Sequence, residues 1–292
     1  MNNVKSIGFI GLGVMGKSMA KNLMKKGFSV NAYTRTKSKA EDLIEEGCTW
    51  CESATEAAEK ADVIITMLGF PSEVKEIYFG EEGLLNNARE GSILIDMSTS
   101  SPTLAKEIAE AADKHQMTAL DAPVSGGDIG AREALLTIMV GGNEEAYNKA
   151  LPVFQAMGTN VVLQGGPGMG QYTKMVNQIA IATNMIGVSE AISYADKAGL
   201  DPNLVLKSIG GGAAGSWSLS NLAPRMIAGD YEPGFYIKHF VKDMTIALES
   251  AEELGLDTPG LKLAKGMYEK LVMRGFEDAG TQALIKLYVD QA

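Results

Sequence analysis

Glycine occurs at the first, third and sixth positions of residues 11–16, Gly-Leu-Gly-Val-Met-Gly. This is the spacing of a nucleotide-binding turn. These residues follow an apolar run directly and open a segment of helical periodicity. In this order, the glycines permit a tight turn, close approach of a pyrophosphate and close helix–strand packing, with the phosphates at the helix N-terminus. A glycine-rich turn of another doubly wound protein is the alternative. The order favours a dinucleotide site formed by Gly11, Leu12, Gly13, Val14, Met15 and Gly16.

The end of the second apolar run determines which dinucleotide is expected. An acidic residue there would accept hydrogen bonds from the ribose hydroxyls and repel a 2′-phosphate. This chain has Thr34, Arg35 and Thr36 instead, and the planar guanidinium of Arg35 can form two hydrogen bonds to a phosphate. An ordinary solvated basic loop is the alternative. The position favours NADP(H), with NAD(H) as the second choice.

Two further groups of residues could bind a carboxylate and move a proton. Ser125, with the backbone N–H groups of Gly126 and Gly127, can form a small concave donor set, although such a sequence is more often a simple turn. Lys174 and Asn177 lie three residues apart, so a helix places them on one face near its N-terminus. The positive helix end disfavours the ammonium form, which suits proton transfer near neutral pH. A solvated surface lysine is the alternative.

The elements that must position these residues are visible in the periodicity. Short apolar runs alternate with helical patterns, which predicts a doubly wound α/β fold with a parallel sheet covered on both faces. The runs cover residues 7–10, 29–33, 63–68, 93–96, 119–122, 136–140 and 161–163. Met67, Leu68 and Thr99 lie at the ends of two of these runs, at the edge where open α/β sheets bind ligands.

The second half of the chain has a different pattern. The strand-like runs cease after residue 163, and a glycine cluster at 165–170 opens an uninterrupted helical segment that reaches residue 198. We predict a dinucleotide-binding domain over residues 1–164 and an all-helical domain over residues 165–292, joined by this long helix. Apolar residues cover most of its circumference, which predicts a central helix enclosed by others. They are Val176, Ile179, Ile181, Met185, Ile186, Val188 and Ile192.

Composition excludes several classes of partner. The 292 residues suit about two domains, and 26 basic against 36 acidic residues give a net charge of -10. Nucleic acid and anionic membranes are therefore poor partners, and the apolar stretches are too short to span a bilayer. No cleavage pattern follows the first apolar run, which predicts a cytoplasmic protein. Cys48 and Cys51 form a CxxC without a second ligand pair, so we expect ordinary thiols and no metal site.

Four ordered motifs resemble those of the β-hydroxyacid dehydrogenases, which include 3-hydroxyisobutyrate dehydrogenase, tartronate semialdehyde reductase and the glyoxylate/succinic semialdehyde reductases. The motifs occupy residues 8–16, 121–127, 165–177 and 242–244, so the resemblance spans essentially the whole chain. It implies a Rossmann-type domain followed by a helical domain, with the active site in the cleft between them. Family members are homodimers or homotetramers, and the resemblance implies the same here.

The resemblance also implies roles for individual residues. Lys174 matches the catalytic lysine, and Asn177 matches a substrate-orienting position. Ser125, Gly126 and Gly127 match the segment that binds the substrate carboxylate.

The resemblance also implies roles for residues at the coenzyme end of the site. Thr99 and Lys242 match positions that line the nicotinamide end. Where the NAD-type 3-hydroxyisobutyrate dehydrogenases carry an acid after the second strand, this chain has Thr34. That departure resembles the NADPH-using semialdehyde reductases.

These observations predict an NAD(P)-dependent oxidoreductase, preferring NADP(H), that interconverts a small β-hydroxy acid and its semialdehyde. Reduction of glyoxylate, succinic semialdehyde or tartronate semialdehyde is the second substrate assignment. Two further hypotheses are a catalytically silent NADP-binding sensor and imine reduction. The joint presence of Lys174, Asn177 and the Ser-Gly-Gly turn argues against the sensor, and Lys174 argues against imine reduction, because the resemblance implies another residue at that position in imine reductases. Trp217 and Phe240 either shape the substrate pocket or belong to the core.

Overall fold

Residues 4–289, which the computed structural model describes, form two compact units that divide between Lys174 and Met175. The first unit is a sheet with helices on both faces. Its strands are β1 (Ser6–Ile10), β2 (Ser29–Tyr33), β3 (Thr49–Trp50), β4 (Val63–Thr66), β5 (Ile93–Asp96), β6 (Thr118–Asp121), β7 (Val124–Ser125), β8 (Leu136–Gly142) and β9 (Gly158–Gly165). Its helices are α1 (Val14–Lys25), α2 (Glu41–Glu45), α3 (Ala54–Ala58), α4 (Pro71–Phe79), α5 (Leu84–Asn87), α6 (Pro102–Lys114), α7 (Gly127–Arg132) and α8 (Glu144–Gln155).

The strand order of the sheet is β3-β2-β1-β4-β5-β6-β8-β7, and β9 pairs with β8. The first six strands of this path run parallel to one another, in the order of a dinucleotide-binding Rossmann sheet. The carboxyl ends of β1, β2, β4 and β5 therefore meet at one edge. This arrangement confirms the predicted doubly wound fold.

The far side of the sheet departs from the prediction of a wholly parallel arrangement. Strand β8 is antiparallel to both β6 and β7, and β9 is parallel to β8. The two-residue strand β7 was not predicted, because Val124 and Ser125 are too few to show a periodicity. Strand β4 also ends at Thr66, so Met67 and Leu68 lie in the following loop.

Side chains of one strand enter two different cores, as expected for a sheet covered on both faces. Val63 and Ile65 of β4 pack in the cluster that contains Met19 of α1. Ile64, between them, packs in the opposite cluster with Tyr78 of α4. The short apolar run is thus a strand buried on both faces.

The second unit is helical throughout its described elements. Helix α9 (Met169–Lys197) begins in the first unit and continues into the second, which further contains α10 (Pro202–Ile209), α11 (Trp217–Asn221), α12 (Ala223–Ala228), α13 (Ile237–Glu253), α14 (Pro259–Met273) and α15 (Lys286–Val289). Phe240 and Tyr268 meet edge to face in its core, with ring centroids 5.1 Å apart. The prediction that other helices enclose α9 fails at Val176, which is 67% exposed, whereas the other six apolar positions named for this helix are buried or half-buried. Among residues 4–289, no helix is long and apolar enough to cross a membrane.

A buried polar network joins the ends of β4 and β5. The hydroxyl of Thr66 donates to Oδ1 of Asp96 at 2.8 Å, and the backbone N–H of Ser98 donates to the same oxygen at 3.1 Å. Burial nevertheless raises the pKa of Asp96 from 3.8 to about 6, because the desolvation of the carboxylate outweighs these hydrogen bonds. The ionised form of Asp96 therefore lowers the free energy of unfolding relative to the protonated form.

Stability should depend on the titration of this carboxyl group. Because the pKa of Asp96 is higher in the folded than in the unfolded chain, the folded state binds more protons. Its contribution to the free energy of unfolding should fall by about 3 kcal/mol as the pH rises from about 4 to about 6. We expect Asp96→Asn, which keeps an acceptor oxygen, to remove that slope in urea titrations across this range. The exposed Asp113→Asn should keep it, and an unchanged slope in Asp96→Asn would contradict the assignment.

Candidate active site

The turn between β1 and α1 contains glycines that are required for two different reasons. Gly11 has a φ of 102°, and a Cβ there would collide with the carbonyl oxygen of Met67. A Cβ at Gly16 would collide with the carbonyl oxygen of Gly11. At Gly13, by contrast, no atom of residues 4–289 beyond its immediate chain neighbours lies within 4 Å of the Cβ position. Protein packing thus accounts for Gly11 and Gly16, and the open space over Gly13 is available to a ligand.

The first turn of α1 is built to face an anion. Its N-cap is Gly13, no side-chain cap is formed by the described residues, and the turn has no acidic residue. The first N–H groups of a helix have no partner within the helix and carry its positive dipole end. Val14 is exposed in this turn, whereas Leu12 and Met15 pack into the core. The uncapped turn and the open glycine fit a dinucleotide pyrophosphate.

The end of β2 carries the residues predicted to select the coenzyme. The Arg35 side chain is 82% exposed, and its guanidinium lies 2.6 Å from Oε1 of Glu73 in the first turn of α4. The other oxygen of Glu73 accepts hydrogen bonds from the backbone N–H groups of Gly69 and Phe70. Thr34 is half-buried and Thr36 is exposed beside Arg35. The guanidinium therefore stands at the ligand-binding edge with a carboxylate as its partner.

Hydrogen bonds tie the loops of this edge to one another. The N–H of Gly11 donates to the carbonyl oxygen of Tyr33, and the N–H of Met67 donates to that of Ile10, both at 2.9 Å. The N–H of Leu68 donates to the hydroxyl of Ser98 at 2.8 Å. The structure thus brings the glycine turn, Met67 and Leu68 to one edge, and half-buried Thr99 follows Ser98 directly.

Lys174 is buried and reaches the predicted carboxylate-binding segment. Its side chain is 7% exposed, and Nζ donates to the carbonyl oxygen of Val124 at 2.9 Å. Ser125 follows Val124 at the end of β7, and Gly126 and Gly127 both have positive φ, 134° and 64°. A side chain would strain either position. The structure therefore brings Lys174 and the Ser-Gly-Gly segment together.

Two residues that the sequence reasoning missed hold the start of α9. Oδ1 of Asp121 accepts from the N–H of Gly168 at 2.7 Å, and Oδ2 accepts from the N–H of Gln171 at 2.8 Å. The Gln171 side chain accepts from the N–H of Ser100 and donates to the carbonyl oxygen of Ser98. Burial raises the pKa of Asp121, and the backbone hydrogen bonds oppose that rise. These contacts anchor the turn that precedes Lys174.

In the second unit, two hydrogen bonds and an ion pair connect Asn177 to Lys242. Nδ2 of Asn177 donates to Oε1 of Gln178 at 2.7 Å, and Nε2 of Gln178 donates to Oδ2 of Asp243 at 2.6 Å. Nζ of Lys242 lies 2.8 Å from Oδ1 of Asp243. A sequence signal for these partners exists: Gln171, Lys174 and Gln178 repeat at helical spacing on an otherwise apolar helix.

The remaining candidate residues are two aromatic residues, which differ in exposure, and two cysteines. Phe240 is fully buried in the helical core, whereas Trp217 is 67% exposed. Cys48 and Cys51 are buried free thiols, and burial raises the pKa of each to about 11, which keeps them in the unreactive thiol form. Within the described part of the chain, no group of three His, Cys, Asp or Glu residues is placed to hold a metal ion.

The strand order, the glycine turn and the anion-facing helix define a dinucleotide-binding protein of the Rossmann class. Residues 6–166 match the family described as the NAD binding domain of 6-phosphogluconate dehydrogenase. Residues 168–288 match the family described as NAD-binding of NADP-dependent 3-hydroxyisobutyrate dehydrogenase. The chain belongs to the β-hydroxyacid dehydrogenase family and is an NAD(P)-dependent hydroxyacid dehydrogenase.

Individual relatives are similar over nearly their whole length. An uncharacterized oxidoreductase of Bacillus subtilis is 60% identical over 98% of this chain and 99% of its own. The 2-hydroxy-3-oxopropionate reductase of Escherichia coli is 39% identical over 96% of each chain. The structure of Mycobacterium tuberculosis 3-hydroxyisobutyrate dehydrogenase with L-serine superposes with a TM-score of 0.90, at 32% identity, over 98% of this chain and 99% of that one.

The two kinds of glycine in the first turn should respond differently to alanine. Gly13→Ala adds a methyl group where only a ligand would meet it, so we expect coenzyme binding to weaken about tenfold or more. The free energy of unfolding should fall by no more than about 1 kcal/mol, which is the cost of alanine in place of glycine at an N-cap. Gly16→Ala should instead cost about 2 kcal/mol of stability through overpacking. Coenzyme fluorescence titration and urea unfolding measure the two effects. Unchanged coenzyme affinity in Gly13→Ala would refute the pyrophosphate assignment.

Proposed function

We propose that this enzyme interconverts a small β-hydroxy acid and its semialdehyde with NADP(H), and that Lys174 is its general acid and base. The observation that carries the proposal is the position of the Lys174 amine. It is buried and donates to the carbonyl oxygen of Val124, the residue before Ser125. A proton donor thus stands beside a segment that can bind a carboxylate. In this proposal, residues 1–164 bind the coenzyme and residues 165–292 form the helical domain.

The chain's residues divide the work between holding the substrate and moving a proton. The nicotinamide, when bound, supplies or accepts the hydride. The hydroxyl of Ser125 and the N–H groups of Gly126 and Gly127 hold the substrate carboxylate and so fix the distance to the reacting carbon. Lys174 donates a proton to the carbonyl oxygen during reduction and removes it from the hydroxyl during oxidation. Asn177 orients the same oxygen. Positioning and proton transfer together lower the barrier.

The hydrogen bond to Val124 gives Lys174 a fixed direction before substrate arrives. An ammonium group has three N–H donors, so one can remain on the Val124 carbonyl oxygen while another addresses the substrate. A long, flexible side chain would otherwise lose rotamer entropy on each binding event. Burial of its stem and the anchored first turn of α9 therefore support a catalytic role over a solvated one.

Coenzyme preference follows from the end of β2 in this proposal. Thr34, Arg35 and Thr36 offer hydroxyls and a guanidinium to a 2′-phosphate, and none of them is acidic. Residues 11–16 bind the pyrophosphate, Met67 and Leu68 flank the coenzyme, and Thr99 and Lys242 belong to the nicotinamide end.

A second substrate assignment is favoured by one relative. The printed name of the Escherichia coli protein is 2-hydroxy-3-oxopropionate reductase, so that compound is the second candidate beside 3-hydroxyisobutyrate. Both are small acids whose carboxylate and reacting oxygen suit the same set of residues.

Replacement of the proposed acid should remove turnover. We expect Lys174→Ala to lower kcat by about a hundredfold or more, because no other proton donor replaces the amine, while coenzyme affinity stays the same. The substrate panel is 3-hydroxyisobutyrate, 2-hydroxy-3-oxopropionate, L-serine, glyoxylate and succinic semialdehyde, each followed by NADPH or NADH absorbance. The exposed Lys197→Ala, on the same helix, should keep wild-type kcat. Near wild-type turnover by Lys174→Ala would remove the lysine from the mechanism.

Reversal of the charge at the end of β2 should reverse the coenzyme preference. Arg35→Asp replaces a phosphate-binding fork with a carboxylate, so we expect the Kd of NADP⁺ to rise by about tenfold to a hundredfold and that of NAD⁺ to change little. Calorimetric titration of both coenzymes measures the two constants. Lys39→Asp, in the same exposed loop, makes an equal change of charge and should leave the ratio nearly unchanged. An equal ratio in both variants would show that only overall charge matters.

A further inference from the structure

The fold brings one acidic side chain to the loop that follows β2, although the end of β2 itself carries none. Glu73 lies in the first turn of α4, 38 residues after Arg35 in the sequence. Its Oε1 is 2.6 Å from the guanidinium of Arg35. In sequence, Glu73 is an ordinary acidic residue at a helix start, where the helix dipole favours it. Only the fold places its charge beside the residue proposed to bind a 2′-phosphate.

The backbone holds the carboxylate of Glu73 in place. Its Oε2 accepts hydrogen bonds from the N–H groups of Gly69 at 3.0 Å and of Phe70 at 3.2 Å. The Glu73 side chain is 24% exposed, whereas that of Arg35 is 82% exposed. A long, exposed arginine side chain has many rotamers in water. The anchored carboxylate therefore determines where the guanidinium lies, and not the reverse.

The ion pair reduces the attraction that Arg35 can offer to a phosphate. A guanidinium has five N–H donors in a plane, so a 2′-phosphate can still bind to it beside the carboxylate. The positive charge that the phosphate meets is, however, already balanced by Glu73, and one oxygen of Glu73 already occupies a donor. Exposed ion pairs contribute little free energy, so Glu73 weakens phosphate binding without preventing it. NAD(H) has no 2′-phosphate and leaves the pair intact.

We propose that Glu73 is a specificity-determining residue, which lowers the preference for NADP(H) over NAD(H) by holding Arg35 in an ion pair. This inference rests on the proposed contact between Arg35 and the 2′-phosphate, and it adds a second residue to that contact. Coenzyme preference is then set by two elements, the loop after β2 and the first turn of α4. The folded chain discriminates between the two coenzymes less than Arg35 alone would.

The test removes the charge of Glu73 and keeps its role in α4. Glu73→Gln retains a side-chain oxygen that can accept from Gly69 and Phe70. We expect the Kd of NADP⁺ to fall about threefold to tenfold and that of NAD⁺ to change less than about twofold. Calorimetric titration of the full chain measures both constants. Adenosine 2′-phosphate, which lacks the nicotinamide, should gain affinity by the same factor as NADP⁺. A purely structural role in α4 would instead change both coenzymes alike.

Two further variants show whether the effect passes through Arg35. Glu76→Gln, an exposed change of the same charge on α4, should leave the ratio of the two Kd values within about twofold of wild type. In an Arg35→Ala background, Glu73→Gln should change the Kd of NADP⁺ less than about twofold, because no guanidinium remains to be released and repulsion across solvent is screened. An equal gain with and without Arg35 overturns the inference.

Failure of this inference is distinguishable from failure of the function on which it rests. If Arg35→Ala raises the Kd of NADP⁺ but Glu73→Gln leaves the ratio of the two constants unchanged, the role of Glu73 is wrong and that of Arg35 stands. If Arg35→Ala leaves the Kd of NADP⁺ unchanged, the proposed contact with the 2′-phosphate fails, and this inference fails with it.

Discussion

One buried carboxylate determines where the long helix begins. Asp121 accepts a hydrogen bond at each oxygen from the backbone before and inside the first turn of α9. Two glycines leave room for this contact. A Cβ at Gly141 would collide with Oδ1 of Asp121, and a Cβ at Gly170 would collide with the carbonyl oxygen of Asp121. A helix start is fixed in both position and direction when backbone N–H groups are bound in this way. Lys174 follows one turn later, and its reach to Val124 is a consequence of that start.

The antiparallel strand β8 also helps to determine where α9 starts. Because β8 is antiparallel to β6 and β9 is parallel to β8, the end of β9 pairs at Gly165 with Gly141, itself the partner of Asp121. The chain therefore leaves the sheet beside the carboxylate that receives α9. The pairing of Gly141 with both Asp121 and Gly165 thus places the start of α9, and with it Lys174, beside the end of β6.

Most of the confirmed predictions came from local sequence patterns, whereas the residues that were missed contact partners far away in the sequence. The glycine turn, the short buried strands and the long helix each show in the periodicity of fewer than about thirty consecutive residues. The apolar run at residues 136–140 is the same for a buried parallel strand and a buried antiparallel strand, so the direction of β8 was missed. Asp121 and Gln171 are fifty residues apart in sequence, and Gln178 and Asp243 are sixty-five. Only the fold shows that these polar residues meet. Val176 was misjudged because an apolar residue within a helix says nothing about how many neighbours will cover that face.

The loop after β2 differs from the lysine end of the site in how it can change over evolutionary time. Residues 35–39 are all exposed, and the ion pair that Arg35 makes is with a side chain of α4 at the surface. Substitutions there meet almost no packing penalty. Lys174 itself, by contrast, is buried and follows a turn held by the buried residues Asp121 and Gln171, where substitutions cost stability. A sequence change in the exposed loop therefore costs the fold little, whereas a change at the buried contacts of Lys174 must be matched by changes in the residues packed against it.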